Sequence, residues 1–225
     1  MSEYLRALLA FDCSGASCSA AVLIDGIIRA ERFAAMERGQ AEALLPMIQA
    51  VMAEAEADWT GLDAIVTTVG PGSFTGVRLG LSAARGLALA ADKPLLAVTA
   101  FEAVAAGLAP AEQPIAIVID SRRGPVFAQR FDSSLQPVGE PAQLEPEAVA
   151  AWLGTGPWHI AGDGVANLAG QAFAPDVRLD AEPRRIQAAD LARAAAAPGR
   201  AVSDRPPAHP LYLRPPDVSL PKARP

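Results

Sequence analysis

A short apolar strand, a glycine-rich turn and a long helix follow one another in the first half of the chain. The apolar run 64–69 leads into the sequence GPGSFTG, which begins at Gly70, and a helix is predicted from about Val77 to Ala91. A strand that passes through a tight turn into a helix is a building unit of proteins in which helices cover the faces of a sheet. This segment therefore predicts an α/β fold.

Periodic apolar patterns on both sides of this segment extend the prediction to a complete half-chain. Apolar runs predict three opening strands, with Asp25-Gly26 as a hairpin turn between the second and the third. Apolar residues at helical spacing then predict an amphipathic helix from Gln40 to about Ala57. The predicted order is strands 5–11, 19–24 and 27–33, helix 40–57, strand 64–69, helix 77–91, strand 95–98 and helix 100–107.

The second half of the chain begins as the first half does. After the linker 110–114, an apolar strand ends in Asp120-Ser121, much as the first strand ends in Asp12-Cys13-Ser14. The shared order of elements predicts an internal duplication. We therefore expect two lobes, 1–109 and 110–213, followed by a flexible proline-rich tail, 214–225. The elements predicted for the second lobe are strands 115–119, 126–131, 138–144 and 158–161 and helices 146–153, 165–173 and 188–197.

Composition limits the partners and the compartment. A net charge of -6 and a pI near 5.0 argue against a broad nucleic-acid-binding face, so any RNA contact is expected to be local or borrowed from a partner. The first apolar run is too short for a signal peptide or a membrane helix, and we expect a soluble, cytoplasmic protein. Cys13 and Cys18 are expected to be reduced thiols in a buried hairpin. The proline-rich stretch from Arg205 is expected to lie extended over the surface, with the end past Asp217 disordered.

The glycine-rich turn invites comparison with loops that bind phosphate at a helix N-terminus. A Walker A loop needs a lysine that this turn lacks. The dinucleotide motif GxGxxG, counted from Gly70 and Gly72, would need its third glycine where Thr75 stands. Both nucleotide motifs fail, and a tight turn with Ser73 or Thr75 as the helix cap is the simpler interpretation.

The helix after the turn carries small residues at every fourth position: Gly76, Gly80, Ala84 and Ala88. Because glycine inside a helix costs up to about 1 kcal/mol relative to alanine, this spacing indicates that another backbone approaches closely. Either the helix packs within its own chain, or this helix and the preceding one face another subunit. The second interpretation predicts a partner interface formed by Leu44, Leu45, Ile48, Met52, Phe74, Gly76, Val77, Gly80, Leu81, Ala84, Arg85 and Ala88.

Five segments between about Leu5 and Val218 together resemble the bacterial TsaB (YeaZ) family, the tRNA threonylcarbamoyladenosine biosynthesis proteins. The element GPGSFTGVR is the most specific of the matches, and those in the second half are short. The segments are LLAFDCSGASCSAAVLIDG, ALLPMIQAVMAEA, GPGSFTGVRLGLSAARGLALA, IDSRRGPVFAQ and PLYLRPPDV.

This resemblance implies the duplicated two-lobed α/β fold of the actin, sugar-kinase and Hsp70-like superfamily (ASKHA, ribonuclease H-like). It also implies a non-catalytic scaffold subunit that is required for threonylcarbamoyladenosine at position 37 of ANN-reading tRNAs. Such a subunit pairs with the catalytic subunit TsaD as a heterodimer and recruits the ATPase TsaE. It meets tRNA only through that complex and needs no cofactor. A homodimer that uses the same helices in the absence of the partner is a further hypothesis.

The residues also bear on a competing hypothesis, in which the chain is an enzyme. Catalytic relatives hold a metal through an HxxxH pair on the helix after the first strands, but the stretch 38–44 has no histidine here, and Gln40 stands where many family members carry one. His159 and His209 have no partner at ligand spacing, and no histidine is placed to activate a nucleophile near Asp12. We therefore expect no metal site and no catalytic residue.

Six residues occupy positions that bind phosphate or nucleotide in ATP-using members of the superfamily. We interpret them as remnants of such a site, since a complete adenosine site would need a longer glycine-rich loop in the second lobe. A weak ATP-binding protein or an M22 metallopeptidase-like enzyme remains the alternative. The vestigial residues are Asp12, Ser14, Asp120, Gly124, Gly162 and Gly164.

Overall fold

The computed structural model describes residues 5–197 and 208–213. In this part of the chain, strands and helices alternate in two successive sets, with short 3-10 turns at Trp59–Gly61, Pro146–Ala148 and Asp163–Leu168. The elements are β1 (Ala7–Asp12), β2 (Ser17–Ile24), β3 (Ile27–Ala35), α1 (Gln40–Glu54), β4 (Ala64–Thr68), α2 (Phe74–Ala91), β5 (Leu95–Val98), α3 (Ala100–Ala106), β6 (Ile115–Asp120), β7 (Val126–Phe131), β8 (Pro137–Leu144), α4 (Val149–Leu153), β9 (Trp158–Ala161), β10 (Val177–Leu179) and α5 (Ala188–Ala196).

The strands form two five-stranded sheets with the same topology. The first sheet has the order β3-β2-β1-β4-β5, and the second has the equivalent order β8-β7-β6-β9-β10. In each sheet the first three strands pair antiparallel as a meander. The fourth strand pairs in parallel with the first, and the fifth pairs in parallel with the fourth. The predicted α/β class and the predicted duplicated fold are confirmed by this repetition.

Helices separate and cover the two sheets. Helices α1 and α2 pack on the outer face of the first sheet, where Leu44, Ile48 and Ala84 join a core with Phe11 and Ile65. Helices α3 and α5 lie between the sheets in a core to which both sheets contribute. Helix α4 and the turn Asp163–Leu168 cover the outer face of the second sheet. None of the helices in the described part of the chain is long and apolar enough to span a membrane.

Helix α5 lies in the second half of the sequence but packs on the first sheet and on α3. Its buried residues Ala188 and Ala189 contact Ala21 of β2, and Leu191 joins the core between the sheets. The two lobes therefore share their central core. The lobe boundary proposed after residue 109 divides the sequence, but helix α5 crosses it in the folded structure. Residues 214–225, the predicted tail, lie outside the described residues.

Three differences from the predicted elements have a local cause. Helix α2 begins at Phe74 rather than near Val77, because the Ser73 hydroxyl accepts a hydrogen bond from the Gly76 amide at 2.9 Å and caps the helix there. The predicted helix 165–173 is only a 3-10 turn, Asp163–Leu168, and Gly170 follows with a φ of 81° that no helix continues. Strand β10 was not predicted, because three residues are too few for a periodic signal.

Two glycines of α2 allow a matched test of its packing. A Cβ on Gly76 would overlap the backbone oxygen of Cys13, whereas a Cβ on Gly86 would meet no atom within 4 Å. We expect Gly76→Ala to lower the free energy of unfolding by about 2 kcal/mol or more, since backbone must move to admit the methyl group. We expect Gly86→Ala to raise it by about 0.5–1 kcal/mol. Urea unfolding of both variants measures the two changes, and changes of the same sign would refute this account of the packing.

Candidate functional site

A cleft of about 440 Å³ lies between the lobes, at the ends of β1 and β6. The first lobe contributes the β1–β2 turn, the start of α1 and the glycine-rich turn before α2. The second lobe contributes the β6–β7 turn with Asp120 and Arg122, and Asp163 from the turn after β9. Of the six predicted vestigial residues, Ser14 and Asp120 line this cleft. The hydrogen bonds of the lining residues and of their neighbours bear on what the cleft can bind.

Asp12 ends β1 but does not face the cleft. Its side chain is 1% exposed, and its Oδ1 atom accepts hydrogen bonds from the Ser14 amide (3.2 Å) and the Ser14 hydroxyl (2.7 Å). Burial raises the pKa of this carboxyl, and the Ser14 and Thr68 side chains oppose that rise. Ser14 is also buried, although it lines the cleft. The acid of the first lobe is thus closed off by its own chain.

The glycine-rich turn packs directly against the β1–β2 turn. The Ser73 amide donates to the Ser14 carbonyl at 2.7 Å, and a Cβ on Gly72 would lie 2.7 Å from the same oxygen. Farther along α2, the Cys13 thiol donates to the Gly76 carbonyl at 3.4 Å. The glycines of this turn are therefore required for a close approach of backbone to backbone, which is the intramolecular alternative to a phosphate cradle.

In the second lobe, the acids at the cleft also bond to their own chain. The Asp120 Oδ1 atom accepts hydrogen bonds from the Arg122 amide (2.8 Å) and the Asn167 side-chain amide (3.1 Å). The Asp120 amide in turn donates to Asp163 Oδ1 at 2.9 Å. Burial, more than the nearby Asp120 charge, raises the pKa of Asp163 to about 6. One exposed ion pair, Arg122 Nη1 to Glu37 Oε2 at 3.2 Å, spans the cleft.

The glycines predicted for the second lobe have structural roles. Gly162 (φ 122°) precedes the turn Asp163–Leu168, and a Cβ there would overlap the Val118 carbonyl of β6. A Cβ on Gly164 would lie 2.9 Å from the Ile119 carbonyl carbon. Both positions thus need glycine because the turn lies against β6. Gly124 occupies the β6–β7 turn at a φ of 98°, a backbone conformation that side chains disfavour.

These residues do not fit a magnesium-bound nucleotide. The Asp12 carboxyl that would face the metal is buried beneath the β1–β2 turn, and the turn itself is in contact with Gly72 and Ser73. Gln40 stands where many family members carry a histidine, and its side-chain amide donates to the Met36 carbonyl (3.1 Å) and the Gly15 carbonyl (3.3 Å). In residues 5–197 and 208–213, no three His, Cys, Asp or Glu side chains cluster in a way that could hold a metal ion.

The predicted partner interface needs a correction, because most of its residues lie inside the chain. The small-residue stripe faces β1 and β4: a Cβ on Gly80 would lie 3.3 Å from Thr67 Oγ1. The stripe is therefore explained by packing within the chain, and only Leu45, Phe74 and Arg85 of the predicted set are exposed. The buried residues, which cannot form a surface of the folded chain, are Leu44, Ile48, Met52, Gly76, Val77, Gly80, Leu81, Ala84 and Ala88.

A different surface of α1 and α2 points away from the sheet. On α2 it carries Ser82, Gly86 and Ala90, which are exposed and again four residues apart. Leu45 of α1 is 50% exposed. We call Leu45, Ser82, Gly86 and Ala90 the outer helix face. The sequence pattern alone could not distinguish the outer helix face from the buried stripe of α2. Small residues recur every four positions on both, and only the structure shows which of the two sets contacts the sheet.

The segment 208–213 covers another side of α2, as expected for an extended proline-rich stretch. The Leu211 amide donates to the Val69 carbonyl and Arg85 Nη2 donates to the Ala208 carbonyl, both at 2.7 Å. Ala208 and Leu211 pack on a small core of Val69, Val77, Leu81 and Ala97. This segment therefore covers residues predicted to face a partner. The prediction for residues past 217 lies outside the described residues.

Cys13, Cys18 and His159 do not line the cleft. Cys13 and Cys18 are buried free thiols, and burial raises the pKa of Cys18 to about 11, so neither is a reactive thiolate at neutral pH. His159 lies on β9, and its Nε2 atom is 2.7 Å from Oδ1 of Asp180, the residue that follows β10.

The raised pKa of Asp163 predicts that the free energy of unfolding depends on pH. Because the folded state holds this proton to about pH 6 and the ordinary pKa is 3.8, stability falls as the pH rises between these values. Asp163→Asn should therefore be more stable than the parent by about 2 kcal/mol near pH 7.5, and the advantage should vanish near pH 4. Urea unfolding at both pH values measures this difference. The control is Asp176→Asn at an exposed position, and an Asp163→Asn effect independent of pH would contradict the assignment.

With this geometry established, comparison with known proteins identifies the family. The family model for TsaD, tRNA N6-adenosine threonylcarbamoyltransferase, matches residues 34–176. The tRNA threonylcarbamoyladenosine biosynthesis protein TsaB of Escherichia coli (strain K12) is 32% identical over 165 residues, which are 70% of this chain and 71% of that protein. The tRNA N6-adenosine threonylcarbamoyltransferase of Erythrobacter litoralis (strain HTCC2594) is 52% identical, but over 65 residues that make up 19% of its length.

A solved structure agrees with the sequence comparison. YeaZ from Pseudomonas aeruginosa superposes with a TM-score of 0.79 at 30% identity, covering 93% of this chain and 100% of that one. The similarity thus extends over both lobes. The chain belongs to the TsaB (YeaZ) family.

Proposed function

We propose that this chain is a non-catalytic scaffold subunit in the formation of threonylcarbamoyladenosine at position 37 of ANN-reading tRNAs. In this role it pairs with TsaD as a heterodimer, and the pair recruits the ATPase TsaE. The E. coli relative is named as a tRNA threonylcarbamoyladenosine biosynthesis protein, which supports a role for this chain in the same pathway. The match to the TsaD family model supports common ancestry with the proposed partner.

The hydrogen bonding of the cleft supports a role without catalysis. The Oδ1 atoms of Asp12 and Asp120 and the side-chain amide of Gln40, at the positions that resemble phosphate or metal ligands of the superfamily, bond to groups of their own chain. The Asp12 Oδ2 atom is buried and has no hydrogen-bond partner among the described residues. A catalytic acid, base or ligand must instead present its polar atoms to a substrate. The chain therefore contributes to the reaction through a partner.

The observation that carries the proposal is the outer helix face. Its residues are small or apolar, they are exposed, and a Cβ at Gly86 would meet no atom of the chain within 4 Å. Small residues at four-residue spacing let a second helix approach closely, which favours a helix-to-helix contact with a protein partner. The contact proposed for TsaD therefore lies on this face of α1 and α2 and not on the buried stripe.

Substitution on the outer helix face tests the pairing. Gly86→Arg and Leu45→Arg should abolish co-purification with TsaD, because each places a charged side chain where a helix must pack, and the folding of the free chain should be retained. Gly86→Ala serves as the small-residue control. Ile27→Arg is the matched surface control, since Ile27 is 55% exposed on the first sheet. Retained pairing of both arginine variants would refute the interface.

Light scattering of the same variants addresses the predicted homodimer. If the chain alone forms a dimer through the outer helix face, the arginine variants should be monomeric and TsaD should dissociate the wild-type dimer. A dimer that persists beside bound TsaD would show that the two assemblies use different surfaces.

Reconstitution tests the function itself. Threonylcarbamoyladenosine formation on an unmodified tRNA should fall at least tenfold when this chain is omitted from a mixture with TsaD and TsaE, since the scaffold is proposed to be required. Mass spectrometry of the digested tRNA measures the product. A full rate without the chain would remove the proposed role.

A further inference from the structure

Two aromatic rings are exposed side by side at the start of α2. Phe74 belongs to the first turn of the helix and is 53% exposed, and Tyr212 belongs to segment 208–213 and is 47% exposed. Their ring centroids lie 5.8 Å apart, and the ring planes differ by 25°. Large rings are normally buried for their apolar surface, so two stacked rings with open area indicate a surface available for contact.

Tyr212 is held in this position by the rest of its segment. The hydrogen bonds of Leu211 to Val69 and of Arg85 to Ala208, together with the apolar packing of Leu211, fix the residues that directly precede the ring. The aromatic pair is therefore part of the folded structure, although its two members lie 138 positions apart in the sequence.

Arg78 completes the group, which we call the aromatic–arginine patch (Phe74, Arg78 and Tyr212). Its Cζ atom lies 3.7 Å from the Phe74 centroid and 5.9 Å from the Tyr212 centroid, and its Nε atom donates to the Tyr212 hydroxyl at 2.9 Å. Arg78 is exposed, and within residues 5–197 and 208–213 the four N–H groups of its two terminal nitrogens have no hydrogen-bond partner. A guanidinium held in this way is suited to a phosphate oxygen.

The charge around the patch differs from that of the whole protein. Residues 64–91 contain no Asp or Glu, and their only charged residues are Arg78 and Arg85. Segment 208–213 contains no acid either, although the chain as a whole has a net charge of -6. The acids that line the cleft, such as Glu42 and Asp120, belong to other elements. A phosphate at the patch would thus meet cations without a neighbouring carboxylate from these two segments.

We propose that the aromatic–arginine patch binds an unpaired nucleotide of the RNA substrate. An exposed base stacks on the open ring surface, and Arg78 donates to the adjacent phosphate, as aromatic and arginine side chains do in proteins that bind single-stranded nucleic acid. The inference rests on the proposed function for the identity of the RNA, and it adds a direct tRNA contact to a subunit expected to meet tRNA only through its partner. The small size of the patch agrees with the acidic charge of the chain, which permits only a local contact.

RNA-binding measurements on the full chain, alone and mixed with TsaD, test the patch. The probe is a fluorescent, unmodified transcript of an ANN-reading tRNA at low salt, and its anisotropy is followed. Tyr212→Leu should weaken binding about 5- to 100-fold, because a stacking surface is lost. Arg78→Gln should weaken binding and lower the salt dependence by about one phosphate contact.

Two control variants distinguish stacking from general surface effects. Tyr212→Phe keeps the ring and should bind within about twofold of wild type, while Phe33→Leu removes a ring that is 42% exposed on β3 and should change nothing. Wild-type binding by Tyr212→Leu and Arg78→Gln, or no binding by the wild type in either sample, would overturn the inference.

Pairing with TsaD is measured on the same variants. Retained pairing together with weakened RNA binding supports an RNA contact, whereas loss of pairing by Tyr212→Leu would identify the patch as a protein interface and overturn the inference. The omission experiment in the reconstituted reaction uses only wild-type chain. It therefore shows separately whether the proposed function fails.

Discussion

The contact on which the rest of the structure depends is the approach of the first turn of α2 to the turn between β1 and β2. Gly76 lies so close to the Cys13 carbonyl that no side chain fits, and the Ser73 amide bonds to the Ser14 carbonyl. This contact fixes the angle at which α2 leaves the sheet, and Ser73 caps the helix in the same turn. The polar groups of the glycine-rich turn bond to the chain itself. The turn therefore connects α2 to the β1–β2 turn, although its composition resembles that of a phosphate-binding loop.

The position of α2 then determines which of its sides can have a function. The stripe of Gly76, Gly80 and Ala84 is placed against the sheet, which turns Ser82 and Gly86 toward solvent and Phe74 and Arg78 toward the proline-rich segment. A helix exposes different residues every 100°, so one rigid element can serve its own core, a protein partner and an RNA contact on separate sides. The cost of glycine in a helix is tolerated at Gly76 because the sheet requires it there.

Much of the fold could be predicted from local patterns, and the site could not. The strands other than β10, the duplicated order and most helices follow from apolar periodicity and turn residues, which act over a few positions. The four-residue stripe on α2 predicts that another backbone approaches the helix closely, and the Cys13 backbone does so at Gly76. Periodicity does not say which neighbour approaches, and the prediction of a partner interface is wrong for the buried residues. The pairing of Tyr212 with Phe74 depends on how a distant segment returns to the first lobe, for which the sequence contains no local signal.

The duplicated lobes have also diverged in the environment of their matching acids. Asp12 is enclosed by Ser14 at the end of β1, while Asp120, at the same position in β6, lies at the cleft with Arg122 and Asn167. Equivalent topology therefore does not preserve an equivalent site, because the groups that surround each carboxylate come from turns and not from the repeated strands. Here Asp12 is buried and Asp120 is bonded within its own lobe, and the contacts proposed with TsaD and with RNA accordingly lie outside the cleft, on α1, α2 and segment 208–213.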